Sequence, residues 1–308
     1  MQQATSDNSK IALIGAPSSA GARKVGQEQA PKALRDAGLI QSLESSGHEV
    51  NDLGDTEVVT FTPDTEQPKQ QNLSRVVNAL EQVENQVDSA IKTNNWPLII
   101  GGDCTITIGV LSALNKHYPS LGMIYVDGDV DLNTPETTLS GIFDGMVLAH
   151  ILGKGAEELS HFGSHYPILD GRNITLFGYS AEAGGIDPVE KEHLKVTTMD
   201  KYPMEKVKDS ATEAATRALQ ALESKVEHIL IHFDVDVIDH DDFPAVDVPH
   251  HPGLKLEQVQ DALKVFLKSP KSIGLVVTEF NASQDENGKL ANQLVDLIQT
   301  CKGNGQGD

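Results

Sequence analysis

Apolar residues fall along this chain in two alternating rhythms. Short continuous apolar runs predict strands over residues 11–14, 48–53 (the weakest), 96–100, 121–126, 174–178, 196–198, 228–236 and 272–279. Between them, apolar positions recur at helical spacing and predict helices over 31–45, 73–93, 106–117, 144–152, 202–222, 256–267 and 290–301. The helix over 73–93 carries the clearest stripe: Val76, Val77, Leu80, Val83, Val87 and Ile91. Pro31 suits a first helical turn. Residues 61–71 and 133–141 are polar and read as loops. Apolar strands alternating with amphipathic helices predict an α/β fold, a three-layer, doubly wound, mostly parallel eight-stranded sheet. No linker or internal repeat divides the chain, so one domain is expected over 1–308, with 1–9 a disordered lead-in and 302–308 a flexible tail.

Composition narrows the partners. Lys and Arg number 24 against 45 Asp and Glu, a net charge of −21. Such a surface repels nucleic acid and anionic membranes, and neither is expected as a partner. No stretch approaches the ~20 apolar residues of a membrane helix. The N-terminus lacks a basic-then-apolar signal pattern. The two cysteines, Cys104 and Cys301, suit a reducing compartment, and a cytoplasmic location is expected. The glycine-rich turn after the first strand, G-A-P-S-S-A-G, lacks the spacing and lysine of a phosphate loop.

The candidate chemistry sits where strands end. The run 121–126 leads into Asp127, Asp129 and Asp131, and the run 228–236 ends in Asp234 and Asp236. Alternation along an extended chain would send each set of acids to one face. The strand at 96–100 is followed by Asp103 and Cys104, and the strand at 272–279 ends in Glu279. In doubly wound sheets such groups gather at the carboxyl ends of strands. Five carboxylates together repel one another unless cations sit among them, and two divalent ions ~3.5–4 Å apart would nearly neutralise them and generate a nucleophile at neutral pH. Oxygen-rich ligation favours Mn, Mg or Ca, whereas a Cys104 thiolate pulls toward softer ions. His232 shares the strand face of Asp234 but lies deeper and reads as a hydrogen-bonded core histidine; His250 and His251 lie in a loop and read as surface histidines by default, with adventitious metal binding the alternative.

The motifs G-G-D-C-T, V-D-G-D-V-D-L-N-T-P-E-T-T-L-S-G, F-D-V-D-V-I-D and T-E-F-N occur in an order and spacing that resembles the arginase/agmatinase (ureohydrolase) superfamily. So does the early G-x-x-x-G-x-x-x-A-P-x-x-L-R-x-A-G-L stretch. The resemblance implies two Mn(II) ions held by four aspartates and two histidines, and a bridging hydroxide that attacks a guanidinium carbon to give urea and an amine. It also implies a homo-oligomer. The matching aspartates are Asp127 and Asp234, which would bridge both ions, and Asp131 and Asp236, which would each bind one. Glu279 matches the carboxylate that pairs with the substrate guanidinium.

Three positions depart from the pattern. Cys104 stands where the family's G-G-D-H has histidine, and in D-G-D-V-D, against D-A-H-x-D, Asp129 stands where it has the other. Asp144 stands where arginases often carry a proton-shuttling histidine, a role it can take if burial or neighbouring acids raise its pKa. In arginases the loop after the fourth-strand acids holds the substrate's α-carboxylate. Asn133, Thr138 and Ser140 fall at similar positions, although Thr and Ser also cap turns. This favours an arginine-like or modified-arginine substrate over agmatine, with Glu182 or Asp187 as candidates for the α-amino group. The expectation is a metal-dependent hydrolase of a linear C–N bond in a small cationic guanidino or amidino compound. A formimino substrate would use the same site. The alternative is a catalytically silent homologue with a structural or partner-binding role.

Overall fold

The computed structural model describes residues 7–181 and 186–303. In chain order the elements are β1 (Asp7–Ala16), α1 (Ala30–Asp36), α2 (Leu39–Ser45), β2 (Glu49–Asp55), α3 (Leu73–Lys92), β3 (Asn95–Gly101), α4 (Ile106–Asn115) and β4 (Leu121–Val126). Next come α5 (Val147–Ile151), α6 (Glu157–Ser160), β5 (Ile174–Phe177), α7 (Pro188–Val196), β6 (Asp200–Tyr202), α8 (Met204–Val207) and α9 (Ala211–Glu223). The chain closes with β7 (His228–Asp234), α10 (Leu256–Leu267), β8 (Ser272–Thr278) and α11 (Lys289–Lys302). Among the described residues, eight strands join one sheet in the order β2-β1-β3-β8-β7-β4-β5-β6. Every neighbouring pair is parallel.

Helices cover both faces, and alternation within each strand feeds two separate cores. Ile11, Leu13, Ile229, Ile231 and Phe233 pack with Leu34, Leu43, Leu222, Phe266 and Ile298 under α1, α2, α9, α10 and α11. Ala12, Ile14, Ile99 and Leu230 face the other way, onto Val76, Leu80, Val83, Ile108 and Leu111 of α3 and α4. Strands buried on both faces explain why their sequences read as continuous apolar runs. The four strands that end in chemistry, β3, β8, β7 and β4, are consecutive neighbours in the sheet.

Several boundaries differ from the sequence expectation. The helix expected over 31–45 is two helices, because Gly38 adopts φ 85° between them. The sixth strand lies at Asp200–Tyr202, not 196–198. Val196 ends α7 and is exposed, while the edge strand is polar and only half-buried, so no apolar run marks it. The helix expected over 202–222 starts after Pro203 and is interrupted before Ala211. The helix at 144–152 begins as a 3-10 turn over Asp144–Met146. Of the expected lead-in, residues 7–9 already belong to β1 and 1–6 lie outside the described residues. Lys302 closes α11, and 304–308 likewise lie outside them.

The G-G-D motif is a backbone junction. The Gly102 amide donates to the Ala16 carbonyl and its own carbonyl accepts from the Glu279 amide, which ties the ends of β1, β3 and β8 together. A Cβ on Gly102 would lie 1.5 Å from the Ser18 carbonyl oxygen, a backbone atom that cannot move aside cheaply. Asp103 points away from the cavity described below. It is fully buried and accepts from Ser18 Oγ and the Gly21 amide at 3.1 Å, and from the Thr105 amide at 3.1 Å. Gly102→Ala is therefore expected to cost about 3 kcal/mol or more, read as a lowered urea midpoint at unchanged slope.

Candidate metal centre and active site

Register across the sheet brings the strand ends level: Val126 pairs with Phe233, Asp234 with Thr278, and Ile100 with Val277. Polar groups that follow these positions therefore meet at one edge. The acids are not carried by strand alternation, as expected from sequence. β4 ends at Val126 and β7 at Asp234, so Asp127, Asp129, Asp131 and Asp236 all sit on turns. Asp131 takes φ 46° and Glu279 φ 67°, conformations unfavourable for residues with a Cβ. Both are buried at the edge, where they are held by the surrounding packing.

The deepest cluster is Cys104, Asp127, His232 and Asp234, whose donor atoms all lie within 4.8 Å of one another. Cys104 Sγ is 2.9 Å from Asp234 Oδ2 and 3.5 Å from His232 Nε2. Asp127 Oδ1 accepts from the Asp129 amide at 2.6 Å, which leaves Oδ2 buried without a hydrogen-bond partner. The His232 ring stacks on Tyr125 at 4.0 Å, and its Nδ1 meets Thr107 Oγ1 at 2.8 Å. That contact fixes the ring and aims Nε2 at the cluster. Tyr125 Oη donates to Asp131 Oδ2 at 2.6 Å.

The electrostatics are those of crowded, buried acids. Burial pushes Asp127 and Asp234 well above the usual carboxylate range, and the repulsion between neighbouring carboxylates adds to it. Asp131 is raised by burial and then by Asp127. Asp236 is pushed up to about 6, chiefly by burial. Burial and the charge of Asp234 raise the Cys104 thiol well above its ordinary value. Such groups fit a divalent cation, which would hold the carboxylates ionised and deprotonate the thiol. The orphaned Asp127 Oδ2 and the mixed sulfur, nitrogen and oxygen donors support the same fit.

A cavity of about 190 Å³ opens onto this cluster. Its lining includes Cys104, Asp127, Asp129, Asp131, Asp234 and Asp236, together with Asn133, Thr138, Ser140, Asp144, Arg23 and Glu190. A larger hollow of about 530 Å³ lies beside α3, but it is lined by scattered residues such as Asp64, Val77 and Glu81 without histidine or cysteine. The catalytic types of side chain meet in the smaller one. Asp144 Oδ1 accepts from the Cys104 amide at 2.9 Å, and Asp144 lies against Glu279. Burial, followed by the charge of Asp103, holds Asp144 well above the ordinary range. Glu279 does not line the cavity. It sits behind Cys104 and Asp144, with Oε2 accepting from Gln27 Nε2 and Oε1 buried without a partner.

The loop residues do two things. Thr138 Oγ1 accepts from the Gly141 amide at 3.0 Å and Asn133 Oδ1 accepts from Thr137 Oγ1 at 3.0 Å, so both shape their turn while facing the cavity. Asp187 caps α7 through the Val189 amide at 2.7 Å and does not line the cavity; Glu182 lies outside the described residues. Glu190, which sequence reasoning missed, does line it. Its Oε1 accepts from the Leu132 amide at 3.1 Å and burial pushes its pKa up to about 7. His232 is a hydrogen-bonded core histidine, as expected, and its Nε2 faces the candidate metal cluster. His250 is no surface histidine: its side chain is 11% exposed, with Nε2 3.5 Å from Asp129 Oδ2 and 3.7 Å from Asp236 Oδ1.

A doubly wound parallel sheet with buried acids, a thiol and imidazoles converging at its carboxyl edge defines the class: an α/β fold of the kind that carries metal-dependent hydrolases. Residues 9–302 match the arginase family. An arginase of Staphylococcus aureus is 32% identical over 298 residues, covering 95% of this chain and 97% of the relative. The crystal structure of an arginase from Bacillus cereus superposes with a TM-score of 0.86 at 30% identity, covering 96% of this chain and 98% of that one. An Entamoeba histolytica arginase in complex with L-ornithine superposes with a TM-score of 0.86 at 26% identity, covering 95% and 98%. The chain belongs to the arginase family.

Proposed function

We propose that this protein hydrolyses a linear C–N bond in the guanidino or amidino side chain of an amino acid, with two divalent ions held at the sheet edge. The convergence of Cys104, Asp127, His232 and Asp234 within 4.8 Å carries this reading. Asp127 and Asp234, with Asp131 and Asp236 beside them, would hold the ions. Bound divalent ions supply a water-derived nucleophile at neutral pH. Asp144, partly buried in the cavity wall and raised in pKa, would keep a proton near neutrality and hand it to the departing nitrogen. Glu279, set behind Cys104 and Asp144, would ionise as a cationic group enters and would then steady it.

Recognition of the amino-acid head follows from the cavity wall. Arg23, Asn133, Thr138 and Ser140 offer donors to a carboxylate, and Glu190 offers an acceptor to an amino group. The ornithine complex of the Entamoeba histolytica relative fits a substrate of this kind. A formimino amino acid fits the same groups and differs only at the carbon attacked.

The test is metal analysis of protein purified without chelators, followed by Mn(II) loading and assay of urea, ammonia or formamide release. The panel contains guanidino and formimino amino acids and their decarboxylated counterparts. About two ions per chain and a preference for the intact amino acid are expected. Protein that binds no divalent ion and turns over nothing on the panel is instead a silent homologue. Glu279→Gln is expected to lower kcat/KM about 100-fold or more while metal content holds, because it removes charge and not a ligand.

A further inference from the structure

The chain's departures from the family's metal-binding pattern leave one half of the site with an acid where an imidazole is usual. The structure shows what has moved there. The loop over residues 239–253 leaves β7 and folds back, with its ends clasped by an Ile238–Leu254 bridge. The Asp239 amide donates to the Leu254 carbonyl at 2.7 Å, and the Leu254 amide to the Val237 carbonyl at 2.9 Å. Inside the loop the His240 amide donates to the His250 carbonyl at 3.1 Å, which fixes the backbone from which the imidazole projects. The ring enters between the turn that carries Asp129 and the turn that carries Asp236. Donor atoms of Asp129, Asp236 and His250 lie within 4.8 Å of one another, and His250 Nε2 is buried facing the Asp129 and Asp236 carboxylates at 3.5 and 3.7 Å.

A second observation is independent of this clustering. A Cβ on Gly128 would lie 2.4 Å from His250 Cδ2 and 2.5 Å from Nε2. The alanine of the D-A-H-x-D motif could not coexist with the imidazole in this place. Gly128, Asp129 and His250 therefore form one linked set: the acid replaces the usual histidine, the glycine clears a slot, and a histidine from a distant loop fills it. Asp236 ties the set together, since its Oδ1 also accepts from the Gly128 amide at 3.3 Å.

We propose that His250 is a metal ligand of this protein, holding the second divalent ion together with Asp129 and Asp236, and that Gly128 is the residue that admits it. This rests on the binuclear reading above. A neutral imidazole limits the negative charge of a half-site already holding two acids, and widens its preference from oxygen-seeking ions such as Mn(II) toward Fe(II), Ni(II) and Zn(II).

Equilibrium dialysis of the full chain against Mn(II) tests this without any assay of turnover. Wild type is expected to take up two ions in two separable phases. His250→Ala is expected to keep the first and weaken the second at least about 10–100-fold. Gly128→Ala, which leaves every donor in place, is expected to weaken the same phase by displacing the ring. The double variant should bind no worse than His250→Ala alone, because both changes remove one interaction. Circular dichroism and the unfolding midpoint of each metal-free variant establish that the fold survives. Two ions bound by His250→Ala with unchanged affinities would overturn this proposal and leave the binuclear site standing. A wild type that binds none would overturn both.

Discussion

Asp127→Ala and Asp234→Ala are each expected to lower kcat/KM at least about a thousandfold, about 4 kcal/mol of transition-state stabilisation, and to cut bound Mn(II) below one ion per chain. These two carboxylates belong to the cluster in which the thiol, the His232 imidazole and the orphaned Asp127 oxygen meet. Each is expected to serve both ions, so losing one damages both half-sites. The same substitutions separate loss of function from loss of fold. In the metal-free protein, Asp127 and Asp234 repel each other and Asp236 from buried positions. Removing one relieves that repulsion, so the metal-free unfolding midpoint should stay level or rise. The measurements are metal content, steady-state kinetics with Mn(II) present and thermal unfolding in chelator. Full activity in either variant would sink the binuclear mechanism. A large fall in the metal-free midpoint would instead assign the residue a structural role.

How much of this was legible in the sequence depends on where each group's position is decided. The apolar runs of β3, β4, β7 and β8 are buried on both faces, so their existence and approximate ends could be read directly. β6 could not, because an edge strand of Asp200, Lys201 and Tyr202 has no apolar signature. The motif acids were found because they follow strands in sequence. The geometry that unites them was misassigned, since turns after the strands place them and alternation within the strands does not. His250 reads as a surface residue in the sequence because nothing local announces the folding back of the 239–253 loop. The one sequence signal was Gly128, whose missing side chain makes sense only once the ring beside it is seen. Glu190 was missed for a related reason. Its helix lies beyond a segment rich in glycine and alanine, so its approach to Leu132 is set by tertiary packing alone.

The second large effect expected is on stability, and it should depend on pH and metal together. A carboxyl whose folded pKa lies above its unfolded value keeps a proton that the unfolded chain has already released. Raising the pH through the folded value strips that proton and costs stability. Asp236, pushed up to about 6, acts this way between its ordinary range and about pH 6, while Asp127, Asp131, Asp144, Asp234 and Glu279 extend the loss to higher pH. His250, raised to about 9 beside Asp129 and Asp236, adds a contribution that also fades as the solution becomes basic. Two histidines oppose this on the acid side. His150, its Nδ1 donating to the Met146 carbonyl and its Nε2 accepting from the Ala156 amide, is lowered to about 4, and buried His232 to about 3. Both are held neutral by the fold and destabilise it as pH falls below about 6.5. Metal-free protein should therefore lose stability from about pH 6 to about pH 8. Divalent ions reverse the trend, because they bind the deprotonated donors that the fold otherwise penalises. At a free Mn(II) concentration about a thousandfold above its dissociation constant, the gain is about 4 kcal/mol, or roughly 6 °C in midpoint for a chain of this size. Near pH 5 protons compete for the same oxygens and the gain should shrink to a small part of that. Scanning calorimetry with and without Mn(II) at the two pH values measures it. Equal gains at both would mean that the ions bind elsewhere than among these acids.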